Sequence, residues 1–124
     1  MSFPLLRAYR ELLEAEIYLQ RGDFAGLHDK VRSAPLVSEQ NSVDQVRRLC
    51  AAMDRACAWY IKQVLCLQRS AATVCLLRSF GVNARLVIGS QHTPFRSHAW
   101  VEVDGSVVND KAYMREMYDV LDEC

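Results

Sequence analysis

A cysteine, a histidine and an aspartate in the second half of the chain have the side chains needed for nucleophilic catalysis. Cys66 opens a run of helix-forming residues that continues to Arg78, and Gly81 follows as a helix stop. The backbone N–H groups and the macrodipole at a helix N-terminus favour negative charge, so a thiolate at Cys66 would be stabilised there. A cysteine nucleophile also needs a base that is held by a third group. His98 and Asp110 can supply both functions.

The segment between His98 and Asp110 decides whether these two side chains meet. Residues 98–103 alternate in the manner of a half-buried strand, and an Asp-Gly turn signal at 104–105 precedes a second short run at 106–110. The sequence therefore predicts a β-hairpin whose register depends on the type of turn.

Two registers fit this hairpin. A two-residue type I′ turn would set His98 opposite Lys111. A three-residue loop with Gly105 as a G1 bulge would instead set His98 opposite Asp110. Because a one-residue slip moves side chains to the other face of a sheet, only the second register brings the two groups together in a regular ladder. We therefore predict the bulged turn.

Composition limits the class of protein. The chain has 124 residues, of which 15 are basic and 15 acidic, so nothing suggests a nucleic-acid footprint or a membrane anchor. No run approaches the about 18 apolar residues of a transmembrane helix. Five cysteines, four of them within helical patterns, suit a reducing cytoplasm better than a disulfide framework. We expect a single domain, 1–124, and interpret the cysteines other than Cys66 as small buried hydrophobic residues.

The first sixty residues have the periodicity of helices. The stripe predicted for the first helix is Leu6, Tyr9, Leu13 and Ile17. A second helix is predicted over 23–33 and a polar linker over 38–41. Ser42 and Gln45 form a capping-box pattern that opens a third helix. Its predicted stripe is Val43, Val46, Cys50, Met53 and Cys57.

The remainder combines one buried helix with short strands. The helix from Cys66 is apolar nearly all round and should be central. Residues 85–90 are predicted as a strand, 91–97 as a loop, and 113–121 as a last short helix. This order predicts an α+β domain in which a helical part, 1–64, precedes a catalytic core, 65–124, built of the Cys66 helix and a small antiparallel sheet.

The second half of the chain contains an ordered set of short motifs: Cys66-Leu-Gln-Arg-Ser70, Leu76-Leu-Arg-Ser-Phe-Gly81, Arg85-Leu-Val-Ile-Gly89, Pro94-Phe95, His98-Ala-Trp-Val-Glu102 and Val107-Val-Asn-Asp110. With this set, the region resembles the leader peptidases of lasso-peptide biosynthesis, within the transglutaminase-like, papain-like cysteine hydrolases. The resemblance implies a bacterial, cytoplasmic cysteine protease that removes the leader segment from a ribosomally made precursor peptide. Carried over by position, Cys66 is the nucleophile, His98 the general base and acid, and Asp110 the residue that orients the imidazole.

The resemblance also implies partners. In this family a small recognition protein presents the leader, and the length of the chain leads us to expect the stand-alone peptidase with a separate recognition protein. An ATP-dependent lasso cyclase would then close the ring on the freed amine. We expect no metal and no cofactor. The N-terminal helices could dock the recognition protein or could serve only as core support.

Several residues around the predicted triad have two interpretations. Arg69 and Ser70 lie one turn after Cys66 and could line the peptide groove, or could brace the helix against its neighbours. Trp100 is interpreted as a core residue or a pocket wall, and we include it with Arg69 and Ser70 as a candidate substrate-binding residue. Asn109 competes with Asp110 as the orienting group, because Cys-His-Asn sites exist.

The oxyanion hole and the other two histidines are less clearly defined by the sequence. The backbone N–H of Cys66 would form part of an oxyanion hole, and Gln63 is one guess for the second donor. His28 and His92 are interpreted as surface residues.

Three other functions could use some of the same residues. Cys57, Cys66 and Cys75 recur every nine residues, which is not the spacing of a zinc site. An acyl transferase could use the same triad with an amine in place of water, and the residues alone do not separate the two reactions. A non-catalytic module could use the same fold to hold a peptide, although an intact Cys-His-Asp set argues against it.

Overall fold

A buried helix beginning at Cys66 lies at the centre of the computed structural model, between other helices and a sheet. The structure describes residues 3–36, 42–92 and 95–124. Its helices are α1 (Phe3–Gln20), α2 (Phe24–Ser33), α3 (Val43–Trp59), α4 (Cys66–Ser79) and α5 (Met114–Met117). Its strands are β1 (Ala84–His92), β2 (Phe95–Val103), β3 (Ser106–Val107) and β4 (Asp119–Glu123). The strands form an antiparallel sheet in the order β3-β2-β1-β4, so the predicted α+β class is confirmed.

Local sequence signals set the helix ends. Gly22 has φ +67° and ends α1, because glycine adopts the left-handed conformation without a steric penalty. The Asp23 side chain caps α2 by accepting from the Gly26 N–H, and the Ser42 side chain caps α3 by accepting from the Gln45 N–H. The polar linker predicted over 38–41 lies outside the described residues.

The predicted apolar stripe of α1 is wrong. Three of its four members, Leu6, Leu13 and Ile17, are exposed. The face that packs against α3 and α4 is displaced by about one residue and consists of Leu5, Ala8, Leu12 and Ala15. Both stripes satisfy the helical period, and the structure selects the one whose alanines let the helices approach closely.

The stripe predicted for α3 is only partly correct. Met53 is buried as predicted, but Val43 is exposed. Val46, Cys50 and Cys57 are half-buried. Leu49, Ala52 and Ala56 complete the buried face. The central helix α4 agrees with the prediction, since nearly all of its residues from Gln68 to Leu77 are buried.

The sheet separates two apolar layers. The side chains that face the helices alternate along the two long strands, as Ala84 and Leu86 on β1 and as Ala99, Val101 and Val103 on β2. The opposite face carries a smaller cluster of Val87, Trp100 and Met114. In this second layer, Met114 of the C-terminal segment packs on the face of the sheet that is opposite the helices.

The β2–β3 turn contradicts the predicted register. Val103 pairs with Ser106, and Glu102 pairs with Val107. Asp104 and Gly105 both have positive φ, of 52° and 78°. These values belong to the two-residue type I′ turn, whose twist matches that of the flanking strands. The bulged turn is therefore wrong, and β3 ends at Val107 instead of reaching Asp110.

Two further predictions, of a loop and of a last helix, differ from the structure. The loop predicted over 91–97 is wrong, because residues 91–92 and 95–97 continue β1 and β2, while Thr93 and Pro94 lie outside the described residues. The last helix predicted over 113–121 is limited to Met114–Met117, and the chain then forms β4 along the free edge of β1. A four-residue helix followed by a strand leaves no periodicity that a sequence pattern could reveal.

Candidate active site

Cys66 is the first residue of α4. The N-cap position is Leu65, which offers no side-chain cap, so the leading N–H groups of this helix are not occupied by a capping side chain. Cys66 itself is half-buried. This placement matches the prediction of a cysteine at a helix N-terminus, where the helix dipole favours negative charge on sulfur.

His98 and Asp110 are in contact. His98 Nε2 lies 2.6 Å from Asp110 Oδ2, and both side chains are 26% exposed. Burial by itself would raise the pKa of the Asp110 carboxyl, but the hydrogen bonds from His98 and from the Lys111 backbone N–H lower it. An ionised carboxylate only accepts hydrogen bonds, so Nε2 donates and a neutral His98 keeps Nδ1 as its acceptor.

The contact arises from an irregular segment instead of a regular ladder. The Val108 N–H still donates to the Val101 carbonyl oxygen at 3.0 Å. The return bond is made by a side chain, because the Val101 N–H donates to Asn109 Oδ1 at 2.8 Å. The chain thus leaves the ladder at Asn109, and the position of Asp110 no longer follows the pleat.

Ser70 joins this segment to the central helix. The buried Ser70 Oγ donates to the Ala99 carbonyl oxygen at 3.1 Å and accepts from Asn109 Nδ2 at 3.0 Å. Farther along α4, Arg78 Nε donates to the Ala84 carbonyl oxygen, and Ala84 pairs with Val103. The helix therefore runs parallel to β2, with its N-terminal end toward the start of that strand.

This orientation locates Cys66 along β2. Cys66 precedes Ser70 by one turn, about 5.4 Å, whereas a strand rises about 3.3 Å per residue. The first turn of α4 accordingly lies at the level of the His98 end of β2. Among the described side chains, the structure joins His98 to Asp110 but places no hydrogen bond between His98 and Cys66 Sγ.

The other predicted site residues have structural partners. Arg69 pairs with Asp54 of α3, and Ser70 braces α4 against β2, as the bracing interpretation describes. Trp100 has no exposed surface, so any effect on substrate would act through the His98 ring that it stacks on. Gln63 is exposed. The substrate-binding roles of Arg69, Ser70 and Trp100 stay predictions.

The partners of His28 are outside this site. His28 is partly covered, with Nε2 2.5 Å from Asp122 Oδ2 and Nδ1 3.0 Å from the Arg32 guanidinium, so it has partners on α2 and β4. His92 ends β1, and its side chain is outside what the structure describes.

The four cysteines other than Cys66 have thiols whose pKa is raised by burial. All five are free. Burial raises the pKa of the Cys50 thiol to about 11 and also raises the pKa of the thiols of Cys57, Cys75 and Cys124. These four thiols are therefore protonated near neutral pH, which makes them poor nucleophiles.

The structure also contains an apolar groove. It lies between α3 and the β2–β3 hairpin, has a volume of about 560 Å³, and includes Val46, Ala51, Val103 and Val108. Val108 lies two residues before Asp110 in the chain, but Cys66, His98 and Asp110 do not line the groove. None of the helices within the described ranges is long and apolar enough to cross a bilayer.

Comparison with known proteins places the chain in a family. It is 47% identical over 58 residues to the microcin J25-processing protein McjB of Escherichia coli, a match that covers 47% of this chain and 28% of that protein. The chain therefore covers well under two thirds of the length of this relative. No solved structure matches the chain. The family model for the transglutaminase-like superfamily matches residues 10–123. Because this match spans nearly the whole chain, the protein belongs to the transglutaminase-like superfamily.

Proposed function

We propose that this protein is a cysteine peptidase that removes the leader segment from a lasso-peptide precursor, with Cys66, His98 and Asp110 as its triad. The observation that carries the proposal is the 2.6 Å contact between His98 and Asp110 at the level of the α4 N-terminus. The E. coli relative is, by its name, a processing protein for a microcin. The motif resemblance and the name of that relative both point to the maturation of a small peptide.

The chemistry follows from the roles of the three residues. His98 takes the proton of Cys66, the sulfur attacks the scissile carbonyl, and His98 then protonates the leaving amine. Water that His98 deprotonates releases the acyl group from sulfur. Asp110 remains ionised and holds the imidazole tautomer with Nε2–H toward itself and Nδ1 available for the proton transfers.

Two features support a site for a peptide. The Cys66 backbone N–H, at a helix N-terminus without a side-chain cap, would donate to the oxyanion that forms on the scissile carbonyl. The groove between α3 and the hairpin would receive apolar side chains of the peptide. A catalytic hydrogen bond that is loose without substrate commonly tightens in the complex, so His98 and Cys66 would come into contact when peptide binds.

A separate recognition protein would dock on α1. The residues Leu6, Leu13 and Ile17 form an exposed apolar stripe on this helix. The other side of α1 adjoins the first turn of α4, because Gln68 Nε2 donates to the Leu12 carbonyl oxygen at 3.0 Å. A partner held on α1 would therefore raise the effective concentration of the leader near Cys66.

The docking surface is tested with Leu13→Glu combined with Ile17→Glu. We expect the variant to fold and to lose the stimulation of cleavage by the recognition protein. Full stimulation in the folded variant would rule out α1 as the docking surface. Deletion of α1 would not answer the question, because its other face belongs to the core.

The activity is tested by mass spectrometry of a precursor peptide incubated with this protein and its recognition protein. Wild type is compared with Cys66→Ala, and Cys57→Ala serves as a matched control on a half-buried thiol. We expect cleavage at one bond by wild type and by the Cys57 variant only. Cleavage by Cys66→Ala at the wild-type rate would overturn the proposal.

An acyl transferase is the second candidate, since its triad would be the same and the superfamily is transglutaminase-like. The mass spectra decide between the two functions when an amine is added. A Cys66-dependent amine adduct without hydrolysis would favour the transferase. If no product forms and alkylation of Cys66 leaves peptide binding unchanged, the protein is a peptide-binding module.

A further inference from the structure

The rings of His98, Trp100 and Tyr118 contact one another on one face of the sheet. The His98 ring is stacked on Tyr118 with centroids 5.5 Å apart and planes inclined by 22°. It is also stacked on Trp100, at 6.3 Å and 26°. Trp100 and Tyr118 contact each other at 6.0 Å, so the three rings form one cluster. Tyr118 lies between α5 and β4, in a segment to which the sequence assigned no function.

Gly89, on the strand next to His98, has no side chain that would occupy the space of this cluster. Gly89 of β1 pairs with His98 across the ladder. A Cβ atom added at Gly89 would lie 2.8 Å from the Trp100 ring and 2.8 Å from Tyr118 Cβ. Only a residue without a side chain lets both aromatic residues pack at this point of the sheet.

Polar contacts hold two members of the cluster in place. Trp100 Nε1 donates to the buried Glu102 carboxylate at 2.9 Å, which fixes the indole. Arg115 of α5 binds the same carboxylate with two hydrogen bonds, of 2.7 and 2.9 Å. Arg115 also reaches Glu123 of β4 at 2.6 Å. These bonds bind α5 and β4, and with them Tyr118, to β2.

We infer that Tyr118 is a positioning residue for His98. Rotation of an imidazole about its terminal torsion is broad and roughly two-fold, so one hydrogen bond to Asp110 restrains it incompletely. A ring stacked within 22° of parallel opposes that rotation, because turning the imidazole would drive its edge into the tyrosine. Tyr118 thereby keeps Nε2 toward Asp110 and leaves Nδ1 available for the proton transfers of the proposed function.

This inference rests on the proposed function for its kinetic consequence but not for its structural one. Misplacing a catalytic group slows the chemical step while ground-state binding of the peptide is retained. We therefore expect Tyr118→Leu to lower kcat by about 10-fold and to change KM by less than about twofold. Tyr118→Phe keeps the ring and should retain the wild-type kcat.

A spectroscopic measurement tests the positioning without any substrate. The ¹⁵N spectrum of neutral His98 should show a single tautomer protonated at Nε2 in wild type and in Tyr118→Phe. Tyr118→Leu should shift this spectrum toward a mixture with the Nδ1–H form. Tyr113→Leu is the matched control, since Tyr113 is an exposed aromatic residue of the same segment.

The outcomes separate this inference from the proposed function. An unchanged tautomer and an unchanged kcat in a folded Tyr118→Leu variant would overturn the inference. If the leucine variant does not fold, the wild-type spectrum decides, because stacked rings shift the His98 ring protons upfield relative to those of His28. The absence of that shift would also overturn it. Loss of the Nε2–H tautomer in Tyr118→Leu would support the inference even if no peptide is cleaved.

Discussion

Asn109 and Asp110 are adjacent in the chain but hold different groups. Asp110 accepts from the imidazole of His98, whereas Asn109 bonds to the backbone of Val101 and to Ser70. The two residues that competed as the orienting group therefore contact different elements of the fold. This difference leads to opposite expectations for their substitution.

Asp110→Asn should impair activity and spare the fold. The amide keeps the size of the carboxylate but loses its charge and can donate toward Nε2, which favours the wrong imidazole tautomer. We expect kcat to fall by about 10²–10⁴-fold, with an unfolding free energy near that of wild type at pH 7. Peptide cleavage and denaturant titration measure the two quantities. Wild-type kcat in this variant would exclude Asp110 as the orienting residue.

Asn109→Ala should act first on stability. The variant leaves the N–H of Val101 and the Ser70 hydroxyl without their amide partner, and an unsatisfied buried polar group costs about 1–3 kcal/mol. We expect the unfolding free energy to fall by about 1–2 kcal/mol, as measured by chemical denaturation. Ser70→Ala is the control, since it removes the same bond from the other side. No loss of stability in either variant would contradict the bracing interpretation.

Among the secondary-structure elements, the short strand β3 allows His98 and Asp110 to meet. The type I′ turn alone would direct Asp110 away from His98, because its register sets His98 opposite Lys111. The strand ends after two residues, and an asparagine side chain replaces the next backbone acceptor. The site is therefore built by interruption of the sheet instead of by its continuation.

Gly89 connects the sheet to the aromatic cluster, so Gly89→Ala should disturb both. The added methyl group meets Trp100 and Tyr118 at 2.8 Å, and overpacking of this kind costs about 1–3 kcal/mol. We expect a lower unfolding free energy together with a lower kcat, because Tyr118 must move away from His98. Gly105→Ala is the comparison, since its added Cβ meets no atom but its φ of 78° strains the backbone, so it should lower the unfolding free energy without lowering kcat. A stable Gly89→Ala variant with full activity would show that the cluster tolerates displacement.

Arg115 makes the docking of the C-terminal segment dependent on pH. Its hydrogen bonds hold the pKa of the Glu102 carboxyl below the ordinary value of 4.5, although burial opposes this. A carboxyl whose pKa is lowered by folding stabilises the native state above its unfolded pKa and loses that contribution as the pH falls. Arg115→Met removes the partner and leaves a buried carboxylate unpaired.

We expect this variant to lose about 1–2 kcal/mol at pH 7, less than for a fully buried pair because Arg115 is nearly half exposed. The deficit relative to wild type should narrow as the pH falls below 4.5, since the wild-type ion pair is then lost as well. Denaturant titrations at several pH values measure both effects. A deficit that does not change with pH would contradict the assigned role of Glu102.

At the level of the whole molecule, the N-terminal helices belong to the core that supports the site. Leu12 is fully buried on α1, whereas its neighbour Leu13 is exposed. We expect Leu12→Ala to cost about 2–5 kcal/mol and Leu13→Ala about 0.5 kcal/mol at most. Thermal or chemical unfolding of the two variants compares the faces directly. Equal costs would mean that the assignment of the buried face is incorrect.

Local patterns in the sequence were sufficient for much of the framework. The start of α4 at Cys66, the capping of α3 by Ser42, and the stop at Gly22 depend on neighbours within one or two turns. The α+β order depends on the succession of such segments. These features could be predicted because short-range propensities and backbone geometry decide them.

The faces, the register and the last strand could not be predicted in the same way. Two stripes on α1 have equal periodicity, and only packing against α3 and α4 selects one of them. β4 exists because the edge of β1 offers it unpaired backbone groups, which the residues 119–123 do not reveal by themselves. Such choices depend on partners far away in the chain.

The sequence by itself determined which residues could form a triad and that Cys66 would begin a helix, because residue type and local propensity are properties of short segments. Only the tertiary structure decided how His98 meets Asp110. That contact needs a strand that ends early, an asparagine that replaces a backbone acceptor, and a serine from α4 that holds the asparagine. The tertiary structure also stacks Tyr118, from the segment between α5 and β4, on the His98 ring. These contacts join segments that are separated in sequence, so their geometry follows from packing and not from pattern.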